Sequence, residues 1–574
     1  MKNISIFIAL IATLLVSAQE NEKPVDTLTM DEIHVVKPYT PKVSDAFKIK
    51  ENPSIEKEAV NKDTVPYSYY AAPVASTFTP IKGEAKQIIR EPLDYVYENY
   101  VSVGYGNYNT PYAEALINSS TNERNNFGLY AGHLSSGGGI DEVKLDDSFS
   151  DTKAHLYYRQ QNIENSWEVY AGTHLKARNW YGLPEQITFD QTVIDAIDPS
   201  QKFTNFYGGA NIYLDEKFFE SARFDINKFS DDYDSDELRI SFIPDFEFKL
   251  NDHIIDVKLN IDYISGSFKE DYIGTSELEY GFTNFGITPS FQIEKEDYDV
   301  HIGLKAIYAI DNVNSNNQFY LYPDLMGSYK LLDENMIAFA GIVGGLTQNS
   351  YYSLSNQNPF ISPTLDIKQT DLQFNTYIGI KGKLNNKFNY NTKIGYQNEK
   401  DRALYVLNPS LTNGIATVNR AYQAGNSFGV VYDDVDRFQF FAEVDYNLIT
   451  PVDIGMKFEF NNYVSNNQAQ AWNLPKIQSA IFAKYKTKKW HAYADLFYTG
   501  KRYDYYSNTV STTGQEVEVD GFFDVNLSGT YILNQRMSAF VKVNNLIGGN
   551  YERFAHYPVQ AFQIMGGVTY KFDL

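Results

Sequence analysis

The chain has 574 residues, no cysteine, a formal net charge of −23 and an aromatic content of 15%, dominated by 46 tyrosines and 38 phenylalanines. Zero cysteines exclude a disulfide framework and thiolate chemistry. The acidic balance excludes nucleic acid as a partner, because that affinity comes from neutralised phosphates.

Residues 1–18 read as a cleaved secretory signal. Lys2 supplies the charge, Ile4 to Val16 the apolar run and Val16-Ser17-Ala18 the small-residue cleavage site. The run is too short to span a bilayer as a helix, and no later stretch approaches the required length. No Cys follows the cleavage site, so the product is not a lipoprotein. Loss of Lys2 takes the charge from −23 to −24; the excess acid is read as solvated surface.

Residues 19–97 form a Pro/Lys/Glu-rich segment with little periodicity, expected to be mostly unstructured in the periplasm or the lumen. From residue 98 to 574 the texture becomes one of repeated alternating segments. Their connections alternate in length. STNERN, QNIENS, LDEKFFES, LNDHI, IEKEDY, LLDEN, KLNNK, KTKK and LNQRM are compact. RNWYGLPEQITFDQTVIDAIDPSQK, SYYSLSNQNPFISPTLDIKQ, YYSNTVSTTGQEVEVD and IGGNYERFAHYPV are long. Short turns at one end and long loops at the other predict an all-β fold, a transmembrane antiparallel β-barrel of about 22 strands.

The stretch FGVVYDDVDRFQFFAEVDYNL tests the count. Phe428, Val430, Tyr432, Phe438, Phe440, Ala442, Val444 and Tyr446 share one parity, and Asp433, Arg437, Gln439, Glu443 and Asp445 the other. The parity survives DDVD, so this is one strand that projects beyond the membrane. The same alternation puts Arg437, Glu443, Asp445, Asp495, Asp524 and Lys542 on the lumen side. The chain closes on QIMGGVTYKFDL, where Ile564, Gly566, Val568, Tyr570 and Phe572 form the apolar face of a last strand whose pairing removes the sheet edge.

The segments FFDVNLSGTY, NNLIGGNYE, YPVQ and GGVTYKF resemble the C-terminal strands of TonB-dependent receptor barrels, over roughly the last 150 residues. The resemblance implies an outer-membrane location in a Gram-negative cell, surrounding lipid, and folding by the barrel-assembly machinery through the C-terminal strand. It also implies solute uptake or passage. The family carries a folded plug domain, for which residues 19–97 leave little room, so the plug is expected to be missing. Asp31, Glu32, Ile33, His34, Val35 and Val36 resemble a TonB box, a short β-forming stretch that adds to a sheet edge of its partner. A barrel this wide needs its lumen filled. AFKIKENPSIEKEAV, the long loops or another envelope protein are the candidates. The alternative to uptake is a non-transporting scaffold that anchors a larger cell-envelope complex.

No catalytic constellation emerges, so an enzyme is not expected, nor is a cofactor. The eight histidines lack metal-ligand spacing and no metal site is assigned. DDYDSDE, Asp231 to Glu237, alternates carboxylates as a calcium loop does, but lacks the Gly and final Glu of that motif, so it reads as a solvated acidic loop. In RNWYGLP, Trp180 and Tyr181 have the chemistry to stack on a sugar or partner, but packing within a loop lid is the preferred reading.

Overall fold

In the computed structural model, the structure describes residues 96–574 apart from 123, 215–217, 251–252, 386, 450 and 509–510. The signal, the TonB-box-like stretch, the candidate lumen segment and the question of a plug lie outside those residues. The described chain forms one 22-stranded antiparallel sheet closed on itself. Closure is made by the first strand, Asn99–Gly106, pairing with the last, Gln563–Phe572, in a register that sets Asn99 against Phe572 and Val103 against Val568. Beyond Phe572, the Asp573 carboxylate accepts the Glu98 amide at 3.3 Å across the seam.

Alternation decides which side chain meets which solvent. Val103, Leu156, Val169, Ile226, Ile302, Ile394, Leu496 and Val568 are all exposed and apolar, whereas most of the positions beside them are polar or small. Exposed tyrosines mark both edges of this belt. On the strand Tyr298–Asp311 the exposed Tyr298 and Tyr308 sit ten residues apart. That is about 33 Å along the strand and roughly 24 Å of height at a 45° tilt, the thickness of an outer-membrane apolar band.

The strand through DDVD is single, Phe428–Ile449, and pairs with Phe388–Leu407. At 22 residues it is about twice the length needed to cross the bilayer. Its projecting part departs from simple alternation, because loops cover both faces. Phe428 and Val430 pack into one apolar cluster, Val431 and Val435 against Trp472 in another. The segment YYSNTVSTTGQEVEVD is itself a small hairpin, Arg502–Asn508 with Ser511–Val519, set apart from the barrel sheet.

Candidate functional site: a chamber beneath a loop lid

The loop after the fifth strand, residues 180–199, and the loop after the fifteenth, residues 408–427, are rooted almost opposite each other in a ring of 22. They touch. The Trp180 ring lies 5.5 Å from that of Tyr422, and the Asn426 side-chain amide donates to the Trp180 carbonyl at 2.7 Å. Such contacts exist only if the loops reach across the mouth. Two more long loops join them. Trp180 Nε1 donates to the Phe360 carbonyl at 3.1 Å, and Tyr181 donates to the Pro558 carbonyl at 2.8 Å.

Tyr557 is the keystone of this lid. It stacks on Phe360 at 3.7 Å between ring centres, meets Tyr181 edge-on at 4.8 Å, and its hydroxyl donates to the Asn426 carbonyl. The backbone of Gly182 runs so close that a Cβ there would stand 2.6 Å from the Tyr557 ring and from the His556 carbonyl. RNWYGLP therefore serves the lid: Trp180 is buried and its ring unavailable for a sugar.

The acidic stretch is not simply solvated, and the expectation is corrected in its two end residues. Asp232, Asp234 and Asp236 pair with Lys202, Lys269 and Lys228 at the surface. Asp231 and Glu237 turn inward. Asp231 accepts from the Tyr351 hydroxyl at 2.7 Å. Glu237 is 1% exposed and accepts from the Tyr280 hydroxyl and from the Tyr351 and Tyr352 amides, the latter two at 2.6 and 3.3 Å. Those amides open the helix Tyr351–Gln357, whose start is fixed by a capping box between Ser350 and Ser353. Buried carboxylates thus anchor this helix to the rim, because each buried acceptor needs its donors.

Below the helix, four successive strands present a polar inner face: Phe149–Gln161, Asn165–Asn179, Ser200–Leu214 and Phe219–Asp231. Inward glycines sit directly opposite inward tyrosines, Gly172 against Tyr207 and Gly209 against Tyr170, so the rings lie flat over them. His155 stacks on Tyr207 at 5.9 Å, with 3.1 Å from its Nδ1 to the Tyr207 hydroxyl. Asp151 is shared by His174, Arg178 and Lys153 at 3.0, 3.4 and 3.6 Å. Between this wall and the helix residues Tyr352 and Asn356 lies a cavity of about 670 Å³. A second cavity of about 370 Å³ adjoins it at Asn356 and runs under the lid past Lys176, Arg178 and Arg553.

The hairpin strand Arg502–Asn508 brings a buried carboxylate, Asp504, to this outer region. Burial pushes the Asp504 carboxyl up to about 6, offset in part by donors from Asn473 at 2.8 Å and the Leu407 amide at 3.0 Å. Burial likewise draws the His556 imidazole down to about 4.

The six charges singled out from the sequence sit on the face opposite the exposed apolar residues, but none lines the chamber. Arg437 donates to Gln397; Glu443 lies across from Lys457 and Asp445 from Gly455. Asp495 accepts from Asn526 at 3.2 Å, and Asp524 from the Tyr551 hydroxyl at 2.8 Å. The Lys542 ammonium lies 4.7 Å from the centre of the Tyr112 ring. The chamber residues were missed; the signal that would have found them is the repeated inward Gly and Tyr of neighbouring strands. Among the described residues, no group of three or more His, Asp or Glu is arranged to hold a metal ion.

No protein-family model and no curated protein matches the chain. Solved structures do. The ferripyoverdine receptor of the outer membrane of Pseudomonas aeruginosa is similar with a TM-score of 0.60 at 14% identity, over 83% of this chain and 72% of that one. The FrpB iron transporter from Neisseria meningitidis gives 0.62 at 12%, over 84% and 83%. The ferric-catecholate import receptor Fiu from E. coli K12 gives 0.60 at 9%, over 83% and 82%. At such identities the likeness is one of fold, and the barrel of this chain has the fold of the TonB-dependent receptor barrels.

Proposed function

We propose that the protein is an outer-membrane barrel of TonB-dependent-receptor type that takes up a small solute, with the loop lid as its outer gate and the chamber beneath it as the first binding site. One observation carries the reading: loops rooted on opposite sides of the barrel meet in a packed aromatic core directly above a polar, ring-lined cavity. A purely structural barrel has no need of a roofed cavity of ligand size. The neighbours named above are a ferripyoverdine receptor, an iron transporter and a ferric-catecholate import receptor, which makes metal chelates cargoes to test first.

In this reading residues 1–18 are removed on export, residues 19–97 work from the periplasmic side, and the barrel domain follows. Asp31 to Val36 would engage TonB. Arg437, Glu443, Asp445, Asp495, Asp524 and Lys542 would line the lumen beyond the chamber. The last strand would be read by the assembly machinery.

The test is depletion of solutes from the growth medium, followed by mass spectrometry, for cells with and without the protein. A solute depleted only in its presence, and spared when Ile33 or Val35 is replaced by Pro, supports TonB-linked uptake. Equal depletion in both strains, with the barrel co-purifying with a stoichiometric envelope partner, would replace uptake by the scaffold.

A further inference from the structure

The two adjoining cavities differ in charge. In a chain of net charge −23, the cavity under the lid is lined by Lys176, Arg178 and Arg553, with Asp147 as the carboxylate among its lining residues. That carboxylate is already used, accepting the Gly139 and Ile140 amides at 2.9 and 3.0 Å. Arg178 shares Asp151 with Lys153 and His174. Lys176 reaches only a neutral partner, the Asn356 side-chain oxygen, and among the described residues neither it nor Arg553 makes an ion pair with a carboxylate. Next to them, on the chamber side, Asn205 is 1% exposed and neither its side-chain nitrogen nor its side-chain oxygen has a hydrogen-bond partner among the described residues. Asn205 lies directly across from His174, two residues from Lys176 on the same strand face.

A part-buried Lys176 whose hydrogen-bond partner is a neutral amide, with the exposed Arg553 on the same cavity and a buried amide without a partner beside it, leaves donors that an anion with acceptor oxygens would satisfy. We infer that the junction of the two cavities is an oxyanion subsite, and that the solute taken up carries a carboxylate or phosphate group. Lys176 is its principal charge, Arg553 the second, and the Asn205 amide an orienting donor. The flat Tyr207 and His155 rings offer the remainder of such a solute a stacking surface. The inference deepens the uptake reading and rests on it for the word solute.

Titration calorimetry on the purified full chain in detergent tests the subsite, with inorganic phosphate and citrate as separate probes. At least one should bind, more weakly as salt rises. Lys176→Gln, which keeps a donor for Asn356, should weaken that binding by about tenfold or more, and Lys176→Arg should restore most of it. Arg553→Gln, a change at an exposed side chain, gives a second reading with little risk to folding. Which probe wins separates carboxylate from phosphate. Binding of neither probe, or Lys176→Gln and Arg553→Gln both binding as wild type does, overturns the subsite. The measurement is made without a membrane, so a protein that binds the oxyanion but supports no solute depletion in cells would count against transport alone.

Discussion

Replacing Tyr557 by Ala should open the lid while leaving the barrel intact. The side chain is 1% exposed and touches three aromatic rings, on Phe360, Tyr181 and Phe428. Truncating a buried aromatic typically costs about 3–5 kcal/mol. That range suits this site, where the ring also brings stacking and a hydrogen bond to the Asn426 carbonyl. At about 1.4 kcal/mol per tenfold, a loss of about 4 kcal/mol raises the open population by a factor on the order of 10³. Hydrogen exchange reads this directly. The Phe428 amide donates to Phe360 at 2.9 Å and the Ser362 amide to Phe428 at 2.8 Å, both within the lid. Their exchange should accelerate by roughly 10²–10³, while amides of the closing pair Asn99–Gly106 and Gln563–Phe572 keep wild-type protection. Unchanged exchange at Phe428 and Ser362 would refute the assignment of Tyr557 as keystone. Loss of protection throughout the barrel would show that lid and barrel are one cooperative unit.

Gly182→Ala forces a Cβ to within 2.6 Å of the Tyr557 ring and of the His556 carbonyl, and should destabilise the lid by about 1–3 kcal/mol, seen as faster exchange at the same amides. Asp504 makes the lid region pH-dependent. Its folded value of about 6 lies above the unfolded one, so its contribution is greatest below about pH 4 and is lost as the pH rises through about 6, by on the order of 3 kcal/mol. His556 acts in the opposite sense. Its folded value of about 4 lies below the unfolded one, so its contribution is present above about pH 6.5 and falls away on acidification. Asp504→Asn should abolish the loss of protection at the Leu407 amide between about pH 4 and 6, the span from the unfolded to the folded value; persistence of that loss in the variant would contradict the assignment. Ile302→Arg, midway between the two exposed tyrosines of its strand, should destabilise the barrel by about 2–4 kcal/mol in a urea titration in lipid vesicles, and a neutral effect would argue that this face does not meet lipid.

The barrel is legible in the sequence because period-two alternation is a local signal. Trp490, Leu496, Phe523 and Val568 declare their face within ten residues of chain, and the inequality of turns and loops orients the whole ring. Even the doubtful case, DDVD, is settled by parity. The lid is not legible in the same way. Its contacts join Trp180 to Asn426 and Tyr181 to Pro558, across hundreds of residues and with no periodicity to announce them. The same reason hides Glu237, which reads as one more acid in an acidic loop until the helix Tyr351–Gln357 arrives to use it. The choice of Arg437, Glu443 and Lys542 as inward charges followed from alternation alone. Alternation says which way a side chain points, but not where two loops will roof it over.

Lid-gated access to the chamber is tested most directly by thiol labelling, for which the absence of native cysteine leaves a clean background. Asn227 lines the chamber wall, and Asn227→Cys places one thiol there. A membrane-impermeant maleimide added to intact cells should react slowly with this thiol in an otherwise wild-type protein. Adding Tyr557→Ala should accelerate the reaction by about a hundredfold or more, following the open population. Equal and rapid labelling in both would contradict a closed outer gate, and no labelling in either would place the chamber out of reach from outside the cell.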